Sequence, residues 1–351
     1  MSDIHVEINK RKIGVNYPPY IVAEISANHN GDINKAKALI KSASESGADA
    51  VKLQTYTPDT LTIDSDNDDF LIKDGLWEGR KLYDLYESAH TPFEWHYELF
   101  QYAKKLNITC FSSPFDETAV DLLESLNAPA YKIASFELID LALIKYVAKT
   151  GKPIIMSTGM ASLPEITEAV DMAKSNGCCE LILLHCLSAY PAPISESNLR
   201  TIPDLSRHFN QVSGLSDHTL GLTAAITSIA LGASFIEKHF TLDRNDKGPD
   251  SEFSIEPKEL VALCSSGKDA WRSLGCAGYE RKKSEESNLI FRRSLYFICD
   301  IKNGELITSE NVRCIRPGFG IAPKYKEEII GRKVNKDISK GTAVRWDEID
   351  C

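Results

Sequence analysis

The chain has 351 residues, with a hydrophobic fraction of 43%, a charged fraction of 26% and a formal net charge of −10, values ordinary for a soluble globular protein. Its balance of 50 acidic against 40 basic residues argues against a nucleic-acid partner and requires any anionic substrate to meet a locally positive pocket. No run of about 18 apolar residues could span a bilayer. The first 20 residues lack the apolar core of a secretory signal, and the nine cysteines, with no metal-type or CxxC spacing, read as reduced thiols; the expected compartment is the cytoplasm.

Along the chain, short β-type runs alternate with amphipathic stretches. Strands are predicted at 20–27, 48–56, 109–115, 130–136, 153–159, 181–188, 212–218 and 235–242. Between the first two, residues 34–47 place Ala36, Leu39, Ile40 and Ala43 on one helical face and supply Gly47 as a stop. Eight such units predict a (β/α)8 TIM barrel. A doubly wound open sheet is the alternative, and the absence of GxGxxG after the first strand weighs against it. Two interruptions, 57–91 and 243–256, follow the second and eighth strands, which puts them on the face where barrel enzymes build their active sites.

The alternation stops near residue 280. The charged stretch 280–288 reads as a linker or exposed helix, so the barrel domain is assigned 1–280 and a second, small domain 288–351. In that small domain short β runs flank two similar phrases, DIKNGE and DISKGT, and a chain of about 60 residues is marginal as an independent fold.

Every predicted strand ends in polar groups: Glu24; Lys52 and Gln54; Ser112 and Ser113; Lys132 and Ser135; Ser157; Ser188; Ser216 and His218; Glu237 and His239. On one strand such an end is commonly incidental, but eight converging on one mouth define a site. Lys52 and Lys132 would bring positive charge, and Ser135, Ser157 and Ser216 neutral hydrogen bonds, to a phosphate and a carboxylate. No GxxxxGK[ST] is present, so ATP-driven chemistry has no support. A single histidine is more often structural than not. Here His218 and His239 end neighbouring strands with Glu24 and Glu237 adjoining, which points to a divalent metal whose identity the spacing leaves open. His5 and His208 read as solvated, and His185 as a satisfied residue of an apolar strand.

At these residues the sequence resembles the sialic acid synthase family, through AEISANHNG (23–31), VKLQTY (51–56), YKIASFE (131–137), STGM (157–160), GLSDHT (214–219) and EKHFT (237–241). The tail from about 290, with RPGFG (316–320), is similar to the antifreeze-like (SAF) domain that ends these enzymes. The resemblance implies that a barrel binds phosphoenolpyruvate and a divalent metal (Mn²⁺, Mg²⁺ or Co²⁺), and that C3 of phosphoenolpyruvate attacks an open-chain amino-sugar aldehyde. It implies His218 and His239 as metal ligands and Glu24 as the group that orients substrate or water. Lys52, Lys132, Ser135, Ser157 and Ser216 would hold phosphoenolpyruvate, with Gln54 and Glu137 in the substrate site. Asp250 and Arg316 would contact the sugar. Ser188 stands where the family often has Asn.

The insertion, QTYTPDTLT (54–62) with 75–96, is similar to the pseudaminic acid synthase branch, whose acceptor is a 2,4-diacetamido-2,4,6-trideoxy hexose. GPD (248–250) is commoner in the neuraminic and legionaminic branches, so synthesis of N-acetylneuraminate or legionaminate stands as the alternative. The resemblance also implies a homodimer with exchanged C-terminal domains, bringing Arg316 to the other subunit's site. Two other readings are weaker. A sugar-phosphate keto acid synthase or metal aldolase leaves the appended domain unexplained, and a carbohydrate-binding scaffold has no use for eight polar strand ends.

Overall fold

The computed structural model describes residues 4–246 and 248–350. It comprises two compact units, Met1–Gly275 and Cys276–Cys351. The first opens with an antiparallel hairpin, β1 (Val6–Ile8) and β2 (Arg11–Ile13). Eight parallel strands follow: β3 (Tyr20–Glu24), β4 (Ala50–Thr55), β5 (Thr109–Pro114), β6 (Tyr131–Ile133), β7 (Ile154–Ser157), β8 (Leu181–Cys186), β9 (Val212–Asp217) and β10 (Phe235–His239). β10 pairs with both β9 and β3, which closes the (β/α)8 barrel predicted from the alternation.

The helix Ile33–Glu45 shows how local sequence sets an element. The Asp32 side chain accepts from the Asn34 amide at its start, its apolar stripe Ala36, Leu39, Ile40 and Ala43 is buried, and Gly47 takes the left-handed φ of +84° just beyond its end.

Successive strand residues point to opposite faces, which divides the apolar side chains into two layers. Ile21, Ala23, Val51, Leu53, Ile154, Met156, Leu181 and Leu183 face the helices in one large core. Tyr20, Val22, Ala50, Phe111, Ala130, Ile155, Ile182, Leu184, Val212 and Phe235 face inward and join Val6, Ile8 and Ile13 of the hairpin in a second. The hairpin thus plugs the amino end of the barrel. Three-residue strands carrying Glu7, Arg11 and Lys12 show too little alternation to be read from sequence. Gly214 is required in β9, because a Cβ there would meet the Phe235 carbonyl oxygen at 2.2 Å.

The second unit begins with exposed 3-10 turns over Lys283–Phe291 and pairs β11 (Ser294–Phe297) with β12 (Val312–Ile315). Its two similar phrases pair with each other. Ile301 and Ile338 exchange backbone hydrogen bonds of 2.8 Å, Asp337 accepts from the Asn303 amide at 2.9 Å, and Asp300 accepts from the Lys340 amide at 2.7 Å. Gly304 and Gly341 each supply the positive φ, +85° and +87°, that turns the chain out of the pair. Leu295, Phe297, Ile301, Val334, Ile338 and Val344 belong to its core.

Candidate active site

Continuing each inward row past the apolar layer gives the residues of the mouth. Tyr20 and Val22 lead to Glu24, Ala50 to Lys52 and Gln54, Phe111 to Ser113, Ala130 to Lys132, and Ile155 to Ser157. Ile182 and Leu184 lead to Cys186, Val212 and Gly214 to Ser216, and Phe235 to Glu237 and His239. Ser112 does not belong to this set. Its Oγ lies 2.6 Å from Thr55 Oγ1, which is 2.8 Å from His96 Nε2 on the helix Phe93–Lys105, so it faces outward.

At the centre, one carboxylate oxygen gathers three groups. Glu237 Oε1 receives Lys52 Nζ at 2.9 Å, Lys132 Nζ at 3.3 Å and Ser216 Oγ at 3.4 Å. Lys52 Nζ also lies 3.1 Å from Glu24 Oε2, and Gln54 Nε2 donates to Glu24 Oε1 at 3.0 Å. All four charged groups are buried. Burial works against ionisation of Lys52, yet Glu237 and Glu24 overcome it and hold that ammonium firmly charged. For Lys132 burial prevails, and its value is lowered despite Glu237. The carboxylates part in the same way. Burial pushes Glu24 up, while the two lysines outweigh burial at Glu237 and push it down. A protonatable acid therefore stands beside a fixed anion.

Eight buried side-chain polar atoms lack a hydrogen-bond partner among the described residues, and five belong to this mouth: Glu24 Oε2, Glu137 Oε2, Ser157 Oγ, Glu237 Oε2 and His239 Nδ1. Glu24 Oε2 has only its ion-pair contact with Lys52, outside hydrogen-bond geometry. Unpaired buried polar atoms are costly, so their concentration marks a place built to receive polar ligands.

The two histidines face one another with ring centroids 5.3 Å apart. His218 Nδ1 lies 2.9 Å from the Leu187 carbonyl, which places a proton on that nitrogen and leaves Nε2 as the atom that would meet an ion. His239 Nδ1 is 3.7 Å from Asp250 Oδ2, and burial, reinforced by the charges of His218, Lys52 and Lys238, keeps His239 neutral. Two neighbouring imidazoles suit a divalent ion. Among the described residues no group of three or more His, Cys, Asp or Glu side chains is placed to hold one, so His218 and His239 are the candidate protein ligands.

Two further residues of the mouth escape sequence reasoning. Gly159 adopts φ +37°, and a Cβ there would stand 2.4 Å from Ser135 Cβ and 2.7 Å from Ser188 Oγ. Ser188 donates to Ser135 at 2.9 Å, so a glycine and two serines form a tightly packed cradle at the mouth. Tyr190 packs against His218, with ring centroids 4.4 Å apart and the planes tilted by 44°.

The family phrases acquire physical roles. Ser26 bonds the Asp250 carboxylate, and Asn28 Nδ2 donates to the Phe240 carbonyl and to Ser254 Oγ, both at 2.9 Å. The loop after β3 thereby fixes the loop that carries Asp250. Lys238 and Asp217, 2.8 Å apart and buried on the outer face, brace the tops of β9 and β10. Above the mouth, Gln54, Ser135, Glu137, His239 and Asp250 share a cavity of about 400 Å³ with apolar residues of the insertion 57–91. Burial pushes Glu137 up to about 7. Arg316 lies in the second unit, exposed, just after β12.

A closed (β/α)8 barrel whose mouth pairs two lysines with a glycine–serine cradle and two neighbouring imidazoles is the frame of an enzyme for small anionic substrates. Comparison with known proteins agrees. The NeuB family model matches residues 39–279, and the SAF domain model residues 292–350. Pseudaminic acid synthase from Campylobacter jejuni subsp. jejuni serotype O:23/36 (strain 81-176) is 45% identical over 93% of this chain and 95% of its own length. N,N'-diacetyllegionaminic acid synthase from Campylobacter jejuni subsp. jejuni serotype O:2 is 39% identical over 93% of this chain and 98% of its own. A solved N-acetylneuraminic acid synthetase from Leptospira borgpetersenii serovar Hardjo-bovis, in complex with citrate, superposes with a TM-score of 0.73 at 32% identity, covering 81% of this chain and 94% of that one. The chain belongs to the NeuB family, the sialic acid synthases.

Proposed function

We propose that the protein condenses phosphoenolpyruvate with 2,4-diacetamido-2,4,6-trideoxy-L-altrose to give pseudaminic acid and phosphate. The observation that carries this reading is the convergence of Lys52, Lys132 and the Gly159 cradle beside His218 and His239, in a chain 45% identical to a pseudaminic acid synthase.

In this reading Lys52 and Lys132 neutralise the phosphate and carboxylate of phosphoenolpyruvate, and Ser135, Ser157, Ser188 and Ser216 donate to their oxygens. A divalent ion, Mn²⁺, Mg²⁺ or Co²⁺, would be held by His218 and His239 and, when bound, supplies Lewis-acid polarisation of the sugar aldehyde. Glu137 and Asp250 hold the acceptor. The enol π pair of phosphoenolpyruvate forms the new bond from C3 to the aldehyde carbon, which leaves C2 electron-deficient. Glu24, oriented by Gln54, stabilises that carbon and positions the water that adds to it. The C2–O bond to phosphate then breaks as the added oxygen becomes the keto oxygen. One proton of the water passes to the former aldehyde oxygen, the other leaves with phosphate, and the lysines receive the departing hydrogen phosphate dianion.

The working unit in this reading is a homodimer in which Arg316 of one copy serves the mouth of the other. A second unit of this size gains stability by docking, and the guanidinium fork suits the acceptor's hydroxyl and acetamido oxygens. Turnover in ¹⁸O-labelled water tests the reaction. Phosphate release that requires both substrates, with label in the keto acid, supports it, and label in inorganic phosphate contradicts the C–O cleavage.

A further inference from the structure

We propose that the insertion 57–91 is the acceptor-specificity element, an apolar wall that receives the deoxy end of the sugar, with Trp77 fixing it in place. This rests on the pseudaminic reading and assigns residues to it.

The insertion spends its apolar side chains in an unusual way. Leu61, Ile72, Trp77, Leu82, Leu85 and Tyr86 all line the cavity above the mouth. Among the described residues none of them joins the three hydrophobic clusters, and only Leu85 of the six is buried. Burial against the barrel core therefore does not explain them, whereas a ligand with apolar surface does. The outer face of the same segment is solvated, with Asp66, Asp68, Asp69, Lys73 and Glu78 exposed.

The wall is tethered at two points. Trp77 Nε1 donates to the Pro249 carbonyl at 3.1 Å, next to Asp250, and its ring lies 5.9 Å from Tyr190, the residue packed against His218. Tyr86 meets Tyr56 at the top of β4 edge-on at 5.9 Å. The cavity is therefore two-sided. Gln54, Glu137, His239 and Asp250 are its polar floor, and the insertion is its hydrocarbon wall.

A 2,4-diacetamido-2,4,6-trideoxy hexose is two-sided in the same sense. Its aldehyde and amide groups are polar, while C6 and both acetamido groups end in methyls. A hydroxyl on C6 would face the wall without a hydrogen-bond partner, a cost that an apolar pocket converts into roughly 10- to 100-fold discrimination.

The test compares two acceptors of identical configuration, one with a methyl and one with a hydroxymethyl at C5, by their kcat/KM values. Wild-type protein should prefer the 6-deoxy sugar by about 10-fold or more, and Leu61→Asn and Ile72→Asn should each cut that preference by about 5-fold or more. Thermal unfolding and phosphoenolpyruvate binding verify that each variant is folded. An unchanged preference in both folded variants would overturn the wall assignment and leave the reaction assignment standing. Wild-type protein that uses N-acetylmannosamine but neither diacetamido sugar would overturn the reaction assignment and the wall with it.

Discussion

Glu237 holds the Lys52 ammonium at 2.9 Å in the centre of the barrel mouth, and the same oxygen takes Lys132 at 3.3 Å. Removing that anion leaves buried Lys132 without a carboxylate partner and Lys52 with Glu24 alone. Glu237→Gln should lose about 3 kcal/mol of stability in denaturant unfolding, the usual cost of breaking a buried pair from one side. Lys132, already lowered by burial, loses its largest support. The KM for phosphoenolpyruvate should then begin to rise at a lower pH in the variant than in the wild type. A coincident pH dependence in the two proteins would contradict the role given to Lys132.

Gly159 is tested by the smallest possible change. Gly159→Ala adds a carbon where Ser135 and Ser188 stand within 2.7 Å, at a φ of +37° that alanine tolerates poorly. The expected outcome is about a 10-fold or greater rise in the KM for phosphoenolpyruvate, with an acceptor KM that changes far less. Equal changes in both would show that the cradle does not belong to the phosphate subsite.

Glu137 gives a stability signature. Its carboxyl is raised from 4.5 to about 7 by burial, so the folded state holds a proton that the unfolded state releases from about pH 4.5 upward. Its presence therefore costs stability as pH rises from about 4.5 to about 7, and the cost persists above. Glu137→Gln removes that cost and should gain up to about 3 kcal/mol on the wild type at pH 8, with little difference at pH 4. Parallel stability curves for the two proteins across this range would contradict it.

Much of the barrel is legible in the sequence because its strands are buried on both faces and alternate in chemistry. Tyr20, Val22 and Glu24, or Phe235, Glu237 and His239, spell out an inward row that changes from apolar to polar at the mouth. Neighbours are harder to assign. Ser112 and Ser113 are chemically identical, and only the pairing of β5 with β4 decides that one meets Thr55 and the other Lys52. The insertion escapes reading for another reason. Leu82 and Leu85 share one face of the helix Leu82–Ala89, but Leu61, Ile72 and Trp77 follow no common period with them and reach the cavity through separate turns and short elements. Gly159 is visible only as part of STGM, since its positive φ is a property of the folded chain.

Shared sites would leave a kinetic mark. Arg316→Ala and His218→Ala homodimers should each be nearly inactive, and mixing them under conditions of demonstrated subunit exchange should restore partial activity. One mouth of the mixed dimer would combine an intact pair of imidazoles with an intact arginine. Continued inactivity despite exchange would place Arg316 in its own chain's site or in none.

The central assignment is of the acceptor, and competition measures it most directly. Phosphoenolpyruvate, a divalent ion and equal concentrations of 2,4-diacetamido-2,4,6-trideoxy-L-altrose and N-acetylmannosamine are incubated with the protein, and the keto acids are resolved by mass. Pseudaminic acid should dominate the product, with phosphate released in equal amount. A product that is mainly N-acetylneuraminate would contradict the assignment.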